Sequence, residues 1–168
     1  EGVSEVETRR FLEGGSYHIE VVAEDMASWS TASEALDLTD CVLEVDATPV
    51  AGPDDNGYGV LFRYVDGENF YYFEISSDGY YHFRSNENDE WVQLIKWTRS
   101  DAIEQGKQRN RITVLAEGDH FEFQVNGQRV ATYEDDSFAS GTVGLIAATG
   151  EEGGVHVAFD NLRVYELR

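Results

Sequence analysis

Apolar side chains recur at alternate positions in short runs along most of this chain, and the runs are parted by turn signals. Val60–Tyr64, Phe70–Ser76, Tyr80–Arg84, Trp91–Ile95, Ile112–Ala116, Phe121–Val125, Arg129–Tyr133, Val143–Ala147 and Val155–Phe159 all read as strands. Asp66-Gly67, Asp78-Gly79, Gly118-Asp119, Asn126-Gly127 and Gly153-Gly154 sit between most of them. Upstream, Tyr17–Ala23 and Cys41–Ala47 alternate in the same way, and Pro49 is expected to end the second of these. Ser28–Asp40 reads as an irregular connection with a short strand near Ala35–Leu38. Gly52-Pro53-Asp54-Asp55-Asn56-Gly57 is a turn, because proline fixes φ, Asp and Asn cap locally, and glycine accepts positive φ. Around Thr98–Gln105 the alternation stops. Ser100 can cap Asp101–Gln105 and Gly106 can end it, which predicts one short helix near 99–105. The last strand starts at Val155 and runs to Leu167, and residues 1–10 read as a frayed polar lead-in. The expected class is all-β: a single domain over 1–168, folded as a two-sheet antiparallel jelly-roll sandwich.

Period-two alternation assigns faces. Tyr58, Val60, Phe62 and Tyr64 share one side of their strand, with Gly59, Leu61 and Arg63 on the other. Tyr71, Phe73 and Ile75, then Tyr81 and Phe83, turn toward the core. Paired as a meander, these strands would collect Arg63, Tyr72, Glu74, His82 and Arg84 on one outer face. That mixture of aromatic faces, charges and hydrogen-bonding groups suits a sugar ring as well as it suits an ordinary solvated sheet.

Composition narrows the partners. A net charge of −21, from 12 basic and 33 acidic residues, repels nucleic acid and anionic lipid. The same carboxylate excess offers oxygen ligands to a hard cation such as calcium. Cys41 is the lone cysteine, so no intramolecular disulfide forms, and its strand-like run makes it a small core residue. No apolar run reaches membrane-spanning length, so direct membrane insertion is not expected, and no signal peptide is recognised. The start at Glu1 reads as a processed protein or a piece of a larger one.

Catalytic patterns are weak. Glycoside hydrolysis needs two carboxylates flanking one bond. Glu44 and Asp46 share a strand face, but Pro49 stands where the jelly-roll hydrolase pattern Glu-x-Asp-x-x-Glu has its last acid. The two are then exposed strand residues. His18, His82, His120 and His156 are scattered and show no metal-ligand spacing. A calcium site is the better candidate: the carboxylate of Glu13, turn carbonyls including Gly15, and Asp160 would meet if the first and last strands lie side by side. The Asp54-Asp55-Asn56 turn is the alternative.

The stretches Asn56–Tyr64, Asn69–Tyr81, Phe123–Gln128 and Val157–Val164 resemble the concanavalin A-like lectin/glucanase superfamily, in its laminin G-like and 3-keto-disaccharide hydrolase-like branch. Similar modules occur on bacterial extracytoplasmic proteins, including the outer parts of some membrane-bound serine/threonine kinases. The resemblance implies two curved sheets, ligands on the concave sheet or its rim, and in many members a calcium near the chain ends, where Asp160 matches best. It also implies that Phe62 enters the core while Arg63 faces the concave side. The expectation is a non-catalytic, extracellular, cell-surface or periplasmic module that binds carbohydrate through Arg63, Tyr72, Glu74, His82 and Arg84, with Trp91 and Trp97 as stacking platforms at the rim. A protein-interaction, assembly or sensor domain and a glycosidase-like enzyme stay open as alternatives.

Overall fold

The computed structural model describes residues 6–32 and 36–167. Its strands are β1 (Thr8–Glu13), β2 (Ser16–Val21), β3 (Ala27–Thr31), β4 (Cys41–Ala51), β5 (Gly57–Asp66), β6 (Asn69–Ser76), β7 (Tyr80–Glu87), β8 (Glu90–Arg99), β9 (Asn110–Glu117), β10 (His120–Val125), β11 (Gln128–Glu134), β12 (Thr142–Ala148) and β13 (Val155–Glu166). They form a seven-stranded sheet, β1-β2-β13-β4-β9-β10-β11, and a six-stranded sheet, β3-β12-β5-β6-β7-β8. Hairpin neighbours pair antiparallel, and β2–β13, β4–β13 and β5–β12 bring distant segments together, which gives the jelly-roll connectivity.

Alternation explains the core. Phe73 lies flat on Phe123 of the opposite sheet, with centroids 4.5 Å apart and planes at 5°. Phe62 meets Phe121 edge-on at 5.2 Å. Leu43, Val45, Ile112, Val114 and Val157 fill the layer from the seven-stranded side and are fully or almost fully buried. Each large apolar side chain withdrawn from water in this way contributes about 1.5–3 kcal/mol. Cys41 is buried in the same layer, as expected.

Four expectations about elements are corrected. No helix forms near 99–105. Ser100 does cap, its Oγ accepting from Ala102 N–H at 3.2 Å, but the following amides leave the helical ladder: Glu104 N–H donates to Asn110 Oδ1 at 2.8 Å and Gly106 N–H to Ser77 O at 2.8 Å. Tertiary partners thus replace the i−4 carbonyls. Pro49 does not end β4. Pairing with β9 stops at Ala47, so from Thr48 onward β4 is held only by β13, and a residue without an N–H is tolerated there. Ser28 and Trp29 belong to a regular edge strand, β3, rather than to an irregular connection; of the expected strand near Ala35–Leu38, Ala35 lies outside the described residues and Leu38 makes an isolated bridge to Gly141. Thr8–Arg10, assigned to the lead-in, already pair with β2, while residues 1–5 lie outside the described residues. Among the described residues no helix is long and apolar enough to cross a membrane.

Candidate ligand-binding site

The outer face of the six-stranded sheet is hollow at its centre because its middle strands carry small residues there. Gly57 on β5 and Ala148 on β12 project little or nothing there. A Cβ on Gly59 would lie 2.0 Å from Phe73 O, and one on Gly57 would come within 3.0–3.2 Å of the Glu74 carboxyl group. The resulting cavity, about 420 Å³, crosses the sheet. It is lined on the β6–β8 side by Tyr72, Glu74, His82, Arg84, Trp91 and Trp97, and on the far side by Asp25–Ala27 and Ala148–Gly150, with Asp55 and Gly57 between. Thr149 pins the far wall: its Oγ1 donates to Ala23 O at 2.7 Å and accepts from Met26 N–H at 3.1 Å.

Glu74 and His82 are cross-strand partners on β6 and β7, and the sheet register sets their approach. His82 Nε2 lies 2.8 Å from Glu74 Oε1, and both side chains are almost wholly buried. His82 also stacks on Trp97 of β8, with centroids 3.7 Å apart and planes at 11°. Three polar atoms at this end are left without a partner: Glu74 Oε2, His82 Nδ1 and Arg84 Nε. An unpaired buried polar atom costs about 1–3 kcal/mol, so this end of the cavity wall holds hydrogen-bonding capacity that the fold does not use. Burial, with the nearby Glu74 carboxylate adding to it, pushes the Tyr72 phenol above its ordinary range. The phenol therefore stays a neutral O–H.

Beyond Tyr72 the same face is aromatic. Trp91 meets Tyr72 edge-on at 5.5 Å and Phe70 at 5.8 Å, and Trp29 and Tyr64 each pack on Phe70 with centroids 5.3 Å away. The chain has three tryptophans, and all of them lie on this face.

Six of the seven expected ligand-binding residues are brought together: Tyr72, Glu74, His82, Arg84, Trp91 and Trp97 line one cavity. Arg63 is the correction. Its φ is +46°, and the β5–β6 register slips between Phe62 and Asp66. This bulge reverses the alternation, so Tyr64, expected with the core set, stacks on Phe70 on the outer face, while Arg63 turns inward over the Phe121 ring at 5.1 Å. Its Nη1 donates to Phe138 O at 3.0 Å and its Nη2 to Thr39 O at 2.9 Å. Arg63 is a strut between two loops on the opposite side of the sheet from Glu74. Asp25, Asp55 and Thr149 were missed because they stand in loops or at strand ends, where alternation assigns no face.

The expected calcium ligands are only partly assembled. Gly15 and Asp160 line one cavity with Leu12, Leu145, Phe159 and Leu162, but Glu13 does not. Asp160 is the single carboxylate there, and its Oδ1 already accepts from Asn161 N–H at 2.8 Å. No group of three or more His, Cys, Asp or Glu able to hold a metal occurs among the described residues. Calcium takes about six to eight oxygens, so these side chains do not complete its site. Glu44 and Asp46 do share a face, as expected, but Asp46 is buried rather than exposed. Arg111 grips it through Nε–Oδ1 at 2.9 Å and Nη2–Oδ2 at 3.2 Å, and Asn161 donates to Oδ2 at 2.9 Å. These hydrogen bonds, the one from Arg111 foremost, hold its carboxyl below the usual range.

No family model matches the chain. A TPR repeat-containing protein of Treponema pallidum (strain Nichols) is 28% identical over 98 residues, 58% of this chain, and the match spans only 12% of that protein's length. Among solved structures, the carbohydrate-binding module CBM66 from Bacillus subtilis superposes with a TM-score of 0.77 at 19% identity, covering 95% of this chain and 92% of the module. Sheep galectin-11 in complex with glycerol gives 0.57 at 8%, covering 85% and 98%. A Parabacteroides distasonis protein provisionally named a glycosyl hydrolase gives 0.61 at 15%, covering 94% and 90%. At these identities the likeness shows the fold alone: the chain is a two-sheet jelly-roll sandwich.

Proposed function

We propose that this domain binds carbohydrate, without catalysis, in the cavity on the outer face of the six-stranded sheet. The observation that carries this reading is the buried Glu74–His82 pair, backed by Trp97 and flanked by polar atoms that lack partners. A sugar hydroxyl both donates and accepts, so it can serve a carboxylate oxygen and a ring or guanidinium nitrogen at once. Its C–H faces find apolar cover on the half-exposed Trp91 and Trp97 rings. The neighbours named as a carbohydrate-binding module and as a galectin with glycerol support this choice of ligand class.

A glycan array followed by titration calorimetry tests the proposal. Glu74→Gln and Trp97→Ala should each weaken the best saccharide at least tenfold with the thermal transition retained, and turnover should be absent. Wild-type affinity in both variants, or an array with no saccharide bound, overturns it.

A further inference from the structure

We infer that the saccharide taken by this cavity carries a free amine, as in a hexosamine unit. This rests on the carbohydrate reading above and narrows it. The cavity wall presents three carboxylates, Asp25, Asp55 and Glu74, to one guanidinium, Arg84. Arg84 does not offset them evenly. Its guanidinium lies over Trp91, 5.9 Å from the ring centroid, at the aromatic end of the face. Trp97 also borders a neighbouring hollow with Asp55 and Asp78, so the acidic lining continues past it.

Acidity alone would not point to a ligand on a chain of net charge −21. Glu74 supplies the second observation. It lines the cavity, it is 2% exposed, and its Oε2 has no hydrogen-bond partner although Oε1 is bonded to His82. A hydrogen bond to a carboxylate oxygen is charge-assisted whatever the donor, and an ammonium donor adds a charge–charge attraction that a hydroxyl lacks. A sugar ammonium brings three N–H donors and a positive charge, and the half-exposed Trp97 ring borders the same cavity. The same wall disfavours acidic sugars: a uronate would stand among three carboxylates. An N-acetyl group discards the charge that the wall selects for.

Calorimetry near pH 6 and low ionic strength should compare the trimer of β-1,4-linked glucosamine with its N-acetylated counterpart, with cellotriose and with a uronic acid trimer. The expected result is an amine trimer bound at least tenfold tighter than any of the others, with the advantage shrinking in about 0.5 M salt, where the screening length is about 4 Å. Asp55→Asn should cost the amine trimer at least fivefold, and Trp97→Ala should abolish its binding, with both variants retaining the thermal transition. Neutral or acidic trimers that bind as tightly overturn the inference and leave the carbohydrate reading standing. Amine-trimer binding that survives Trp97→Ala is attraction to the acidic surface at large and also overturns it. If no saccharide of any charge binds, the carbohydrate reading falls and this inference falls with it.

Discussion

Glu74 and His82 face each other across β6 and β7 with 2.8 Å between Oε1 and Nε2, and Trp97 closes over the histidine ring. Each side chain is what makes burial of the other tolerable. His82→Ala would leave the buried Glu74 carboxylate without its partner, at a cost of about 2–4 kcal/mol. In a double-mutant cycle with Glu74→Gln, urea denaturation should show a coupling above about 1 kcal/mol. Additive effects would mean that the two groups do not support one another.

Glycine positions separate binding from folding. A Cβ at Gly57 meets the far end of the Glu74 side chain at 3.0–3.2 Å, a group that can shift by a few tenths of an ångström. Gly57→Ala should therefore cost less than about 1.5 kcal/mol of stability while it weakens saccharide binding several-fold. A Cβ at Gly59 meets backbone, Phe73 O at 2.0 Å, and that oxygen cannot give way. Gly59→Ala should cost about 3 kcal/mol or more. Thermal melts and calorimetry on the pair check both outcomes; equal melting points for the two variants would contradict the geometry.

Most of this site could be read from the sequence because alternation is strict where strands are regular. Tyr72, Glu74, His82 and Arg84 fall on one face by parity alone, and the β6–β7 register keeps that parity. Arg63 was not legible. Its inward turn depends on one residue at positive φ, and nothing in Phe62-Arg63-Tyr64-Val65 announces the bulge. Its close partner lies some eighty residues away: Gly141 packs against the bulge so closely that a Cβ there would lie 2.5 Å from the Arg63 carbonyl carbon. β3 was obscured for a related reason. Its small polar Ser28 is buried while Trp29 packs on Phe70 on the outer face, the reverse of the usual pattern. The missing helix depended on Asn110, a distant buried side chain that takes the amide a helix would need.

Arg63 should then govern stability and leave recognition alone. It is 4% exposed, and two loop carbonyls, Phe138 O and Thr39 O, depend on its separate Nη atoms. Arg63→Ala should lower stability by about 3 kcal/mol, and Arg63→Lys should recover little of it, because one ammonium cannot reproduce the guanidinium fork. Saccharide affinity of the folded fraction should equal that of the wild type. A tenfold affinity loss with an unchanged melting point would return Arg63 to the binding site.

The outer face of the seven-stranded sheet carries the clearest pH dependence. His18 Nδ1 and His156 Nε2 lie 2.8 Å apart, and Phe11 stacks on His18 with centroids at 4.9 Å. Burial lowers the His156 pKa; His18 and Arg9 lower it further, while Glu20 and Glu13 oppose them. A histidine with a depressed native pKa binds fewer protons folded than unfolded. Its full contribution is present above the unfolded value of about 6.5 and is lost as pH falls through that value toward the native one. Urea denaturation of the wild type should show stability falling over the window below about pH 6.5, the unfolded value of that histidine. His156→Gln, which removes the titrating ring, should flatten the profile over that window. A slope equal to the wild type's in that variant would place the titration elsewhere.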